Sequence, residues 1–322
     1  MAGDASQIVR RDELAAPVTL VSIERRIRDA LIRTLPQLIQ ECGAAAALVY
    51  AEALDAQELE LPPEIASRLL YVTKTRRQEE QHEERGHRIL RVPNVRLSRM
   101  GQAQVAILLA VSRKLIEPDE VVVVLTGMPG GSSLDTLLVL HVRSELDMPL
   151  DAATESDLSR DVRPDVLERV LNIAAELGYE GREGKMVGGL FVVGDSQNVL
   201  ALSRQLILNP FKGYSEEARN ILAPELKETV KELSSIDGAF IIRGDGVIEA
   251  AGAYLTASTR DIHDLPAGLG ARHQAAAGIT AVTNAVAIAV SQSTGHVTVF
   301  RRGHIIADLE KPRTRTEPGE GD

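Results

Sequence analysis

Residues 235–274 read SIDGAFIIRGDGVIEAAGAYLTASTRDIHDLPAGLGARHQ. Within this stretch 240–242 and 247–251 are short β-prone runs, and Arg243-Gly244-Asp245-Gly246 between them places glycine at turn positions, so the spacing predicts a β-hairpin. Asp237-Gly238-Ala239 then stands at the entrance of the first strand, and Arg272-His273 follows the second by one loop. A glycine after a carboxylate lets a ligand approach the backbone, and an Arg-His pair at a loop-to-helix junction offers cationic donors to phosphate oxygens. A carboxylate that can hold Mg²⁺ or Mn²⁺, set beside phosphate-binding cations, is the minimum for phosphoryl or nucleotidyl transfer. Taken alone, the tripeptide reads as a turn before a strand.

The order of features carries more than either motif. Asp237-Gly238-Ala239, a hairpin, Leu265-Pro266, Gly270-Ala271-Arg272-His273-Gln274-Ala275-Ala276, and an Ala/Val-rich strand ending at Ser291 and Thr294-Gly295 together resemble the diadenylate cyclase domain of the DisA family. The resemblance runs over residues 165–302 and implies an α/β domain with a mixed β-sheet flanked by helices. It also implies an enzyme, a nucleotidyltransferase that joins two ATP molecules into cyclic di-AMP and releases two pyrophosphates. Carried onto this chain, it makes Asp237 the ligand of a Mg²⁺ or Mn²⁺ ion. Arg272 and His273 hold phosphates with Asp237 as the catalytic set, and Gly238, Ala239, Leu255, Gly270, Gln274 and Ser291 bind the nucleotide, Leu255 at the adenine.

Two motifs depart from the family pattern. Gly-Thr-Arg-His-Arg becomes Gly-Ala-Arg-His-Gln, which removes a hydroxyl at Ala271 and a guanidinium at Gln274, and Ser-Glu-Glu becomes Ser291-Gln292-Ser293, which removes two carboxylates. These losses motivate the alternative of a non-catalytic sensor of ATP or cyclic di-AMP. If the reaction holds, two attacks in opposite directions require two sites face to face, so the partner is a second copy of the chain.

The 322 residues suffice for two domains, and 44% apolar with 25% charged residues is ordinary for a soluble globular protein. A net charge of −10 argues against duplex nucleic acid as the main partner, and nine Phe and Tyr with no Trp leave little on which to stack bases. Cys42 is the only cysteine, so neither an intrachain disulfide nor a cysteine-based zinc site can form. The first residues lack a secretory core and no apolar run reaches the length of a membrane span, so the expected location is cytoplasmic.

Upstream, apolar residues at Ile23, Ile27, Leu31, Leu35 and Leu38 predict an amphipathic helix ended by Gly43, followed by strands over 44–51 and 68–72. Residues 74–88 pack five basic and four acidic side chains with His82 and His87 and no apolar face; a solvated loop or frayed helix is expected there, with a metal or phosphate loop as the alternative. Ser98 caps a helix expected to reach Leu115, and 121–125 reads as a central parallel strand. Residues 126–136, TGMPGGSSLDT, form a Gly/Ser loop before a strand over 137–142, compatible with a backbone nest for an anion or with a plain turn. This segment resembles the end of the pyruvate kinase C-terminal domain, which implies an open αβα sandwich with a regulatory role and a small-molecule effector.

The expected organisation is a flexible N-terminus over 1–20, a first α/β domain over 21–150, the cyclase domain over 151–310 and a disordered tail over 311–322. In the second domain a helix opens at Pro164 and closes at Gly178, a strand lies within 185–194, and small residues over 275–282 form a helix that packs closely on the sheet. His263, His296 and His304 are read as surface or structural.

Overall fold

The computed structural model describes residues 20–54, 59, 61–128, 133–146, 161–257 and 268–311. The Leu265-Pro266 pair, His263, both expected terminal segments apart from a few inner residues, most of the Gly/Ser loop and the expected division at residue 150 lie outside them.

The first sheet is built from β1 (Ala46–Tyr50), β2 (Leu69–Thr73), β3 (Ile89–Arg91), β4 (Val121–Gly127) and β5 (Leu134–His141). Its order is β3-β2-β1-β4-β5; all neighbours are parallel except β5, which runs antiparallel to β4. Alternate residues point to opposite faces, as a strand requires. Ala47, Val49, Val123 and Leu125 face Leu35 and Ile39 of helix α1 (Leu20–Glu41), whereas Leu48, Tyr50, Val122 and Val124 share a core with α4 (Arg99–Ser112). The sheet is thus covered on both faces, as expected. Of the short helices between these elements, α2 (Pro63–Ala66) precedes β2 and α3 (Arg76–Glu83) occupies the charge-rich stretch. There Thr75 accepts from the Gln78 amide while the Gln78 side chain accepts from the Thr75 amide, so this exposed segment is a capped helix. His87 stacks on the Tyr71 ring and His82 packs against it at a tilt, with the two Nδ1 atoms 2.9 Å apart. Helix α5 (Val142–Glu145) closes this half.

The second half contributes α6 (Pro164–Glu180), β6 (Gly189–Val193), α7 (Ser196–Ala201), β7 (Ser203–Gln205), α8 (Leu226–Leu233), β8 (Ala239–Ile242), β9 (Ile248–Leu255), α9 (Ala271–Val282), β10 (Val286–Val290), β11 (Val297–Arg301) and β12 (His304–Leu309). The seven-stranded sheet has the order β12-β11-β10-β6-β8-β9-β7, with β6 and β8 parallel and every other pair antiparallel. It is the mixed sheet flanked by helices that the sequence implied. Phe191, Val193, Phe240, Ile242, Ile288 and Val290 turn to the α6 side; Leu190, Val192, Ala239, Ile241, Ala287 and Ala289 meet Ala276, Ala277 and Ile279 of α9. Each fully buried Leu, Ile or Phe stabilises this packing by about 1.5–3 kcal/mol, and the facing alanines let α9 approach closely.

Several boundaries differ from the sequence reading, among them β5, which begins at Leu134 inside the expected loop and ends at His141. Helix α6 passes through Gly178 and stops at Glu180, where Gly181 takes φ +66°; Gly178 is small because the Gly295 carbonyl packs against it, only 2.3 Å from where a Cβ would stand. Helix α9 starts at Ala271 rather than near Ala275, so Arg272 and His273 occupy its first turn. Helix α4 ends at Ser112, short of Leu115, and Lys114 follows with φ 57°.

Helix α4 also packs on β12 and α6, so one apolar core runs through both halves. The Ser98 amide donates to the Glu310 carbonyl (2.9 Å), the Asp308 amide to Gln104 Oε1 (3.1 Å), and Arg113 pairs with the largely buried Glu168.

Candidate active site

The Arg243–Gly246 turn closes as expected, with the Arg243 amide donating to the Val247 carbonyl and Gly246 at φ 99°. Arg243 is clamped by Glu216 and Asp245, which fixes the far end of the hairpin. At the near end Gly238 has φ 112°, and a Cβ there would lie 2.6 Å from the Gly252 carbonyl carbon. Its smallness therefore serves the close approach of β9, which itself bulges at Gly252, rather than the approach of a ligand.

This tight pairing sets Asp237 at the mouth of β8 with its side chain 90% exposed, and the first turn of α9 brings Arg272 to it. Arg272 Nη2 donates to Asp237 Oδ1 at 3.1 Å, and Nη1 to Gln292 Oε1 at 3.4 Å. The two residues that the sequence paired across 35 positions meet.

Arg272 lines two cavities. One, of about 490 Å³, is bounded by Asp237, Gly238, Ala239, Tyr254, Leu255 and Gln274, with Leu190 and Ala253 among its apolar walls. The other, of about 580 Å³, is bounded by Gly270, Arg272, His273, Ser291, His296 and Asp308. The first offers a mainly apolar slot of the kind that takes a base, and the second gathers polar groups around the N-terminus of α9, where the helix dipole favours anions. Every predicted site residue lines one of the two.

Several side chains behave differently from what the sequence suggested. His273 is buried edge-on to Phe300, and burial lowers its pKa, partly offset by the Asp308 carboxylate; at neutral pH it is an uncharged imidazole, so the expected cationic pair carries one charge. Gln274 donates to the Leu269 carbonyl (3.2 Å) and stitches the loop to the helix. Ser291 Oγ accepts from the Thr294 amide (3.3 Å) and shapes the turn that carries Gln292. Gln292, counted above only as a lost carboxylate, steadies Arg272.

Three contributors were not singled out. Gly188 leaves room for the guanidinium, since a Cβ there would stand 2.9 Å from Arg272 Nη1. His296, read as surface or structural, is half-buried in the second cavity together with Asp308, whose carboxyl burial pushes up in pKa. Pairing of Thr298 with Asp308 across β11 and β12 was the available signal, but a bulge between Val299 and Phe300 shifts the register.

Residues 176–305 match the family described as "DisA bacterial checkpoint controller nucleotide-binding", and residues 28–147, where a pyruvate kinase C-terminal likeness was read, match "Probable sensor domain DacZ_P". The chain is 41% identical over 203 residues to the diadenylate cyclase of Methanocaldococcus jannaschii, covering 62% of this chain and 63% of that protein. It is 36% identical over 203 residues to the diadenylate cyclase of Haloferax volcanii, covering 62% of this chain and 72% of that one. Among solved structures, DacA from Staphylococcus aureus aligns at 27% identity with a TM-score of 0.29, covering 44% of this chain and 83% of that one.

Proposed function

Because the chain belongs to the diadenylate cyclase family, we propose that it condenses two ATP molecules into cyclic di-AMP and releases two pyrophosphates. The observation that carries this reading is the contact between Asp237 and Arg272 at the junction of an apolar cavity and a polar one. Leu255, Ala239 and Gly238 give a wall for the adenine, while Arg272, Ser291 and the start of α9 face the phosphates. His273, neutral, serves as a hydrogen-bonding wall. In each of two steps a ribose 3′-oxygen bonds to the α-phosphorus of the other ATP, the bond to the β-phosphate oxygen breaks, and the hydroxyl proton passes to solvent.

The exposed Asp237 carboxylate fits a Mg²⁺ or Mn²⁺ ion that takes its remaining ligands from phosphate and water, where it would neutralise charge on the triphosphate. Arg272 is the chain's own contribution to the same end: it orients the phosphates and keeps Asp237 in register.

Each site holds one nucleotide, so two copies of the chain must face each other, and the half-exposed Leu206 and Tyr254 on the rim of the first cavity support such a contact. We divide the chain into a regulatory unit over 21–150 that takes a small-molecule effector and a cyclase unit over 151–310. We propose a cytoplasmic location on the sequence reading alone; separately, among the described residues no helix is long and apolar enough to cross a membrane.

The test is incubation with ATP and Mn²⁺ or Mg²⁺ followed by mass analysis. Cyclic di-AMP should form in the wild type, with a rate per chain that rises with protein concentration, and should fall on the order of 10² fold or more in Asp237→Asn. Tight ATP binding without product would replace the cyclase reading by the sensor. Full turnover by a strictly monomeric species would overturn the face-to-face arrangement.

A further inference from the structure

We infer that the end of the polar cavity remote from Asp237 is a separate binding site for a first-row divalent cation, with His296, Asp308 and Glu310 as its protein ligands. A ring nitrogen of His296 and one carboxylate oxygen each from Asp308 and Glu310 lie within 4.8 Å of one another. Metal–ligand bonds of about 2.0–2.2 Å set ligand–ligand edges of roughly 3–3.6 Å, so a closure of about 1 Å completes the site. The exposed Glu310 side chain has that freedom.

The backbone of each ligand is fixed independently of any ion. Thr298 Oγ1 donates to Asp308 Oδ1 (3.2 Å), and the Asp308 amide is tied to Gln104 of α4. The Glu310 carbonyl accepts from the Ser98 amide, and the His296 carbonyl accepts from the Ser291 amide at 2.9 Å. Such support from outside the ligand set is what a preorganised cation site requires. Two carboxylates so close repel each other, and a cation removes that cost. Lys311, adjacent in sequence, does not serve, because its ammonium is turned to the Tyr179 carbonyl (3.3 Å) and over the Tyr179 ring.

The donor set selects the ion. One imidazole with two carboxylates favours Mn²⁺ or Zn²⁺ over Mg²⁺, which prefers oxygen ligands and retains its water. Three protein ligands leave coordination positions open, and His296 and Asp308 direct them into the cavity that Arg272 and Ser291 share. This site uses none of the residues proposed to hold the substrate's cation, and its occupancy is independent of the cyclase reading.

The experiment is Mn²⁺ titration of the full-length chain without nucleotide, followed by electron paramagnetic resonance, with pulsed measurement of ¹⁴N coupling. One Mn²⁺ per chain should bind with a nitrogen coupling. Affinity should fall at least tenfold in His296→Ala, Asp308→Asn and Glu310→Gln and stay unchanged in Asp237→Asn, and Mg²⁺ should compete at least tenfold more weakly. Glu310→Gln keeps the test sound if Asp308→Asn misfolds, because residue 310 is exposed. Unchanged Mn²⁺ binding in His296→Ala and Glu310→Gln, absence of nitrogen coupling, or loss of binding only in Asp237→Asn would each overturn the assignment.

Discussion

Gly188→Ala separates positioning from folding at the proposed active site. The new Cβ would meet Arg272 Nη1 at 2.9 Å, Gln292 Cβ at 3.1 Å and the Val290 carbonyl oxygen at 3.1 Å. Ordinary contact begins near 3.4 Å, so the guanidinium must move by about 0.5 Å or more, away from its bonds to Asp237 and Gln292. Gly188 is not among the residues with left-handed φ, so alanine fits the backbone, and its lower unfolded-state entropy is worth about 0.4–1 kcal/mol. That gain offsets the modest crowding, because the closest atom belongs to the end of a flexible side chain. Stability should therefore stay within about 1 kcal/mol of wild type, while misplacement of the phosphate-orienting cation lowers kcat/KM by roughly 10–100 fold. The assay is cyclic di-AMP formation at varied ATP, with thermal unfolding measured in parallel. Wild-type kcat/KM would refute the role given to Arg272, and a fall in Tm of more than about 5 °C would show that backbone, not the guanidinium, has to yield.

Burial lowers the pKa of His273, and also that of His82, where the neighbouring His87 acts in the same direction. A depressed folded-state pKa means that the associated stability is fully present above the unfolded value of about 6.5 and is lost as pH falls through the folded value. Urea midpoints should thus drop as pH falls below about 6.5, and less steeply in His273→Gln; Asp308, Arg272 and His296 face this imidazole and stay in place in that variant. Asp308 has the opposite sign, since its raised pKa favours the protonated folded form and loses that advantage as pH rises above about 3.8, so Asp308→Asn should make stability fall more steeply on the acid side. Gly178→Ala drives a Cβ to 2.3 Å from the Gly295 carbonyl and should cost about 1–3 kcal/mol in denaturant unfolding, more than the helix propensity gained; a neutral result would mean that the 291–296 turn is free to move.

What was legible in the sequence was whatever depends on local order. The hairpin and the alternation of buried residues along both sheets follow from turn chemistry and strand period, whereas the meeting of Asp237 with Arg272, 35 positions apart, was expected from the resemblance to the diadenylate cyclase domain. What escaped depends on contacts between distant segments. Gly188 matters only because β6 and β10 are adjacent, which puts it beside Val290 and hence beside Arg272. His296 meets Asp308 only through a bulged strand pair, and Gly178 looked like a helix stop because nothing local reveals the Gly295 carbonyl beside it. His273 was given a charge because its burial against Phe300 and β12 is a property of the packed sheet.

The shared core changes how the role of the first half can be tested. Arg99 is paired with Asp135, and Gln102 reaches the Gly127 carbonyl and accepts from Thr126, so α4 is tied to the strands on either side of the Gly/Ser loop. The same helix covers β12, where Ile306, Ala307 and Leu309 join the common core, and holds the backbone of Asp308 and Glu310. Removing residues 1–150 would uncover that apolar face as well as delete any effector site, so lost activity in the truncated chain follows from unpacking alone. A regulatory role has to be sought in the intact chain, through an effector whose binding changes with ATP occupancy, because coupling between two sites on one rigid element is reciprocal.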